Sequence, residues 1–274
     1  MIWKKYILMK LLILLGIAGT FATPLEPSKL VYKGETIFVY LNSLPKEFYK
    51  TDFENVLADN VFGNKEVCWT TACWSGYLTT WEILENQLYL TGIYSCCSPA
   101  YSIKADLTSL FKEKVVNGKV KADWVTRKNV RGGKELILWV EETPIFKQEF
   151  EFEFLSGELL NIKTFDNSKS RKSIYSTDLK KLSEFIYSNI EWSKLPIQKE
   201  LVRVTVQFSA NTNGKVDEVE VVRKSDNEIF NQEAVRVIKS IPDWDVIYLK
   251  GQLFRQRFYT GIIFSEENKK KYGK

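Results

Sequence analysis

The chain has 274 residues, enough for one large domain or two of ordinary size, and its 45% hydrophobic and 27% charged residues are the composition of a folded protein. It contains no histidine, which excludes Ser-His-Asp and Cys-His catalysis, imidazole general bases and metal sites that need an imidazole ligand. The formal charge of +5 sits at the ends, on Lys4, Lys5 and Lys10 and on the Ser265–Lys274 tail, so no basic surface for nucleic acid is expected.

Residues Met1–Ala22 read as an export signal. Lys4 and Lys5 open it, Leu11–Ala18 is an unbroken apolar core, and Gly19, Thr20 and Ala22 are small residues ahead of Thr23-Pro24. The core is shorter than the roughly 20 residues of a spanning helix. Adding Tyr6–Met9 brings it close, so an uncleaved N-terminal anchor is the alternative, and membrane contact is expected only in that case. Export also governs Cys68, Cys73, Cys96 and Cys97, which should form disulfides in an oxidising compartment. A Cys96–Cys97 bond would be a strained vicinal pair, so Cys68 and Cys73 are expected to pair across to Cys96 and Cys97. The spacing is not a standard zinc pattern, and no metal is expected.

From Leu30 to about Tyr175 the pattern is mostly β. Leu30–Leu41 is a β-prone run with a turn signal at Lys33-Gly34, and Trp81–Leu84 and Leu88–Ile93 flank a hairpin turn at Glu85-Asn86-Gln87. Val120–Thr126, Glu135–Glu141 and Phe146–Leu155 read as strands, with turns at Arg131-Gly132-Gly133 and Ser156-Gly157. Asp106 caps a short helix through Lys114, and Lys46–Ala58 is a second helical candidate. Trp69, Trp74, Trp81, Trp124 and Trp139 fall in this segment. Such density suits a stacking platform for carbohydrate or single-stranded nucleic acid, but with no basic run beside them a β core is the favoured reading. The stretch Cys73–Ile83 with Gln87–Leu90 is similar to an uncharacterised β-rich domain of exported Gram-negative bacterial proteins, a resemblance that implies no activity.

Ser168–Ser173 is polar throughout and marks a boundary. Beyond it Leu179, Leu182, Phe185, Ile186 and Ile190 recur at helical spacing behind Thr177 or Asp178 as cap. Val202–Phe208 alternates, Asn211–Gly214 turns, and Val216–Arg223 returns. Asp226 or Asn227 caps a second helix with a stripe of Phe230, Ala234, Val237, Ile238 and Ile241, which Pro242 ends. Arg255–Phe264 alternates again, and the order α-β-β-α-β lets both helices cover one face of a small antiparallel sheet.

These residues resemble the C-terminal domain of the TonB energy transducers. The resemblance rests on Gly214-Lys215-Val216, Val219–Val222, Ser225, Phe230, Glu233-Ala234, Pro242-Asp243-Trp244, Gly251 and Ile262-Ile263-Phe264, with Leu182–Trp192 similar to the preceding helix. Val246 stands where the family often has proline, Glu191-Trp192 where it often has Tyr-Pro, and the long Pro-rich arm of a transducer is missing. The expected fold is α+β: a β-rich disulfide-bearing domain over 23–167, a linker over 168–177, a TonB-like domain over 178–264 and a basic tail over 265–274.

The resemblance implies a partner as well as a fold. In the family the edge of the last strand receives a short segment of an outer-membrane transporter. Here Arg255, Arg257, Tyr259, Gly261 and Ile263 would form that edge, capturing an envelope protein or peptide by main-chain pairing. A solvated or self-paired edge is the bland alternative. The leading reading is a non-enzymatic periplasmic binding module with no cofactor. A membrane-anchored energy transducer is the second, and an exported enzyme using carboxylates such as Glu82/Glu85 or Glu141/Glu142, or a Ser/Lys pair, is the third.

Overall fold

The computed structural model describes residues 25–49, 61–63, 68–97, 99–140, 143–197 and 200–273. The expected signal segment, Glu141/Glu142 and most of the Lys46–Ala58 candidate lie outside them; Lys46–Phe48 forms one 3-10 turn.

The N-terminal unit contains β1 (Ser28–Tyr32), β2 (Glu35–Val39), β3 (Tyr77–Leu84), β4 (Gln87–Ser95), β5 (Val115–Val116), β6 (Lys119–Lys121), β7 (Lys128–Val140), β8 (Thr143–Leu155) and β9 (Glu158–Asp166). Their order is β3-β1-β2-β7-β8-β9-β4-β6-β5, and β3 also pairs with β4, so the first seven strands close into a ring. Every pairing is antiparallel except β1 with β3, where Leu30 lies beside Trp81. Closure removes the exposed edges that an open sheet would leave. Inside lie Leu30, Ile37, Trp81, Leu88, Leu90, Phe152 and Phe154, all buried. Lys33-Gly34, Glu85-Asn86 and Ser156-Gly157 all take positive φ, as tight hairpin turns demand. Helix α1 (Leu107–Phe111) follows Asp106, whose carboxylate accepts the Thr108 N–H.

Two expectations fail here. Arg131-Gly132-Gly133 is not a turn but lies inside β7. A Cβ on Gly132 would stand 2.5 Å from Phe38 O, and one on Gly133 would stand 2.2 Å from the Phe146 ring, so the glycines serve close approach. Val120–Thr126 is strand only to Lys121; Val125 N then bonds Ala122 O in a turn. The tryptophans divide. Trp81 is buried, Trp124 and Trp139 are half-buried, but Trp69 and Trp74 are exposed because they sit on a turn outside the main ladder.

The C-terminal unit begins with α2 (Ile174–Thr177) and α3 (Leu179–Ser188), the latter capped by Asp178. It continues with β10 (Val202–Ala210), β11 (Val216–Arg223), α4 (Glu228–Lys239), the small hairpin β12 (Tyr248–Leu249) and β13 (Gln252–Leu253), and β14 (Phe258–Phe264). Its sheet has the order β11-β10-β14, all antiparallel. The stripes Leu182/Ile186 and Phe230/Ala234/Val237/Ile238 pack on Val204, Val206, Phe208, Ile262 and Phe264 in one core. The fold is thus α+β, with two amphipathic helices on one face of a three-stranded sheet. The basic tail over 265–274 forms a helix, α5 (Glu266–Tyr272). Ser265 caps it, Glu266 and Glu267 lie in its first turn and lysines in its last, the order a helix dipole favours.

The two units touch. Arg171 and Val246 exchange backbone hydrogen bonds of 2.8 and 3.0 Å, within the segment expected as a linker. Leu138, Val140 and Ile145 at the far end of the β7–β8 hairpin bury themselves against Ile247.

Candidate strand-capture edge

A three-stranded sheet has two edges, and sequence chemistry treats them differently. β11 carries Asp217, Glu218, Glu220 and Arg223, and its pairing with β10 skips a residue twice, at Val222 and at Asp217. Charges and bulges of this kind blunt an edge against further pairing. Phe258-Tyr259-Thr260-Gly261-Ile262-Ile263-Phe264, in contrast, has no charge or proline and pairs with β10 in unbroken register from Phe264 opposite Val202 to Phe258 opposite Phe208.

The direction of its backbone groups follows from one residue. Ile263 N–H donates to Tyr187 Oη at 3.2 Å, and Ile263 O accepts from Asn268 Nδ2 at 2.9 Å. Both groups therefore point away from β10. Two-residue alternation turns the N–H and C=O of Gly261 and Tyr259 the same way. Among the described residues no strand pairs with that side. Tyr187 and Asn268 thus close the Ile263 end of the edge, while Gly261 and Tyr259 keep theirs open. Tyr187 is fixed in turn by stacking on Tyr272 at 5.4 Å between centroids, and burial raises its phenol pKa.

The five residues expected at the edge occupy three different situations. Tyr259, Gly261 and Ile263 lie in β14; Tyr259 is 63% exposed, and nothing lies within 4 Å of a Cβ built on Gly261. Arg257 precedes the strand and lines a cleft of about 400 Å³ with Gln207, Ser209, Asp217, Glu218, Glu220 and Lys239. Arg255 reaches across to the opposite edge. Its guanidinium holds Asp217 at 2.8 and 3.2 Å and Glu218 at 3.2 Å. The hydrogen bond from Arg255 keeps the Asp217 carboxyl below the usual range, and the same bond raises the arginine. The ladder starts at Phe258 rather than Arg255 because Phe254 N is taken by Ile247 O and Arg255 by Asp217.

Sequence reasoning missed Tyr187 and Asn268. The signal for Asn268 was present, since Ser265 followed by two glutamates and three lysines is a capped, dipole-matched helix start. Tyr187 lies off the apolar stripe of α3, and nothing local marks it.

In the N-terminal unit the disulfides pair Cys68 with Cys97 and Cys73 with Cys96, with Cα separations of 4.9 and 6.4 Å. Glu82 is ion-paired with Lys119. No group of three or more metal-capable side chains occurs among the described residues, and no described helix is long and apolar enough to cross a membrane.

Two helices thus cover one face of an antiparallel sheet that has one charged, bulged edge and one uncharged edge of regular register. Residues 198–265 match the family model of the Gram-negative bacterial TonB protein C-terminal, about a quarter of the chain. At the level of this domain the protein is TonB-like, and that family points to the cell envelope. No curated protein and no solved structure matches the chain.

Proposed function

We propose that this is a non-enzymatic periplasmic binding protein that captures an extended envelope peptide along β14, a TonB-dependent outer-membrane transporter being the partner class the family points to. The observation that carries the reading is the contrast between the edges: β11 is charged and bulged, while β14 presents backbone groups of Tyr259 and Gly261 that no described strand pairs. An incoming strand gains affinity from main-chain bonds and selectivity from alternate side chains. Tyr259 and Arg257 supply that selectivity; Arg255, locked to Asp217, steadies the opposite edge instead.

The test is a substitution that removes the outward donor and spares the fold. Proline is tolerated on an edge strand where its missing N–H would have faced solvent, so Tyr259→Pro should keep the far-UV spectrum of the full chain. It should lose envelope partners that in-cell crosslinking recovers with the wild type, whereas Tyr259→Phe should keep them. Equal crosslinking of Tyr259→Pro and wild type would sink strand capture. Sequencing the N-terminus of the exported protein separates this reading from the anchored transducer, which needs Met1–Ala22 retained.

A further inference from the structure

Trp69 and Trp74 are 52% and 73% exposed, whereas Trp81 of the same segment is fully buried. Their turn is held rigid. Cys68 and Cys73 are bonded to Cys97 and Cys96, and Cys73 N donates to Thr70 O at 3.0 Å. The two indoles flank Thr70 and Thr71 around an open cleft of about 440 Å³. Large aromatic side chains fixed outward in this way are poised for a contact, since exposed apolar patches mark interaction sites.

The chemistry of the cleft selects among ligands. A saccharide needs several directed polar groups for its hydroxyls, and the described lining residues supply two threonine hydroxyls. A nucleic-acid strand needs cations beside the stacking rings, and none of the described residues lining the cleft is a cation. Indole beside hydroxyl, with an apolar body and a polar tip, is the composition favoured where membrane meets water.

Position agrees. Glu26 N donates to Ala72 O at 2.8 Å, so the chain enters the domain between the two tryptophans in sequence. Leu25, beside it, is 41% exposed. The apolar stretch of the sequence ends at Ala22, three residues earlier, a reach of about 10 Å at most. Next to Glu26, Tyr101 Oη donates to Pro27 O at 2.8 Å, and the Lys29 ammonium lies 3.9 Å from the Tyr101 ring centre. This brings a cation to the same end of the domain, where lipid phosphates would meet it.

We propose that the disulfide-stapled Trp69–Trp74 turn seats on a lipid bilayer surface, orienting the domain with its N-terminal entry toward the membrane. Bilayer contact is then a property of the folded domain and not of the N-terminal segment alone.

The experiment uses the full chain with Trp3→Phe, so that the apolar segment contributes no indole emission. It is mixed with vesicles of phosphatidylethanolamine and phosphatidylglycerol at three to one, brominated high on the acyl chains. Bromolipids should quench the emission, and Trp69→Phe/Trp74→Phe should abolish more than half of the quenchable fraction. Thr71→Glu, an exposed rim substitution that keeps both reporters, should cut the quenching at least twofold. Undiminished quenching in the double variant would overturn the proposal. So would protection of Trp74 by a chitin tetrasaccharide in place of vesicles, or a dimer in sedimentation that Trp74→Phe dissolves without vesicles present.

Discussion

Glycines at three positions separate two uses of the same residue. Gly132 and Gly133 sit where β7 meets β2 and the Phe146 ring, so even a methyl group collides with backbone or with a buried ring. Gly261 has open space beside it and no positive φ. Gly132→Ala should therefore destabilise the protein by about 1–3 kcal/mol through overpacking. Gly261→Ala should be neutral or stabilise by up to about 1 kcal/mol, because it lowers the entropy of the unfolded chain. Urea unfolding of the two variants checks both signs. Equal effects would mean that Gly132 is not a packing site. A Gly-Gly pair read in isolation signals a turn; only the position of Phe38 and Phe146, distant in sequence, shows that it serves close approach.

Among the elements, α5 bears most directly on the proposed strand capture. Asn268 on α5 and Tyr187 on α3 occupy both outward groups of Ile263, so a captured strand can register only on Gly261, Tyr259 and residues before them. Each bond is worth about 0.5–1.5 kcal/mol to the closed arrangement. The double variant Tyr187→Phe/Asn268→Ala should free one further residue pair and tighten partner capture by about three- to tenfold, as each 1.4 kcal/mol is tenfold. Fluorescence titration with a crosslink-identified partner peptide would read this directly. Unchanged or weaker affinity would show that the clasp does not limit the register. The helices and strands of this unit were legible because each shows one clean period: Val202–Phe208 alternates, and Phe230–Ile241 repeats at helical spacing. The hairpin of β12 and β13 escaped because two-residue strands show no period at all. Ring closure in the N-terminal unit escaped for another reason: the parallel pairing of β1 with β3 joins residues some fifty positions apart, and no local pattern encodes it. Exposure of Trp69 and Trp74 likewise depends on where the disulfides hold their turn.

At the scale of the whole molecule the question is whether the units fold as one. Three features join them. Arg171 clamps Asp243 with two 2.7 Å bonds, yet both side chains are more than 40% exposed, and such a pair contributes about 0–1 kcal/mol. Asn167 donates to Phe146 O and Glu149 and accepts the Gly251 N–H at 2.8 Å. Ile247, only 2% exposed, fills the pocket formed by Leu138, Val140 and Ile145. Burial of this kind outweighs the ion pair, since truncating a buried isoleucine to alanine costs about 2–5 kcal/mol. The wild type should therefore melt in one calorimetric transition. Arg171→Ala should shift that transition by a few degrees at most, about 2–4 °C per kcal/mol in a protein of this size. Ile247→Ala should split it into two, with the nine-stranded unit and the helix-covered sheet unfolding separately. Two transitions in the wild type would show that the contact transmits no stability, and that strand capture at β14 and the disulfide-bearing unit act independently.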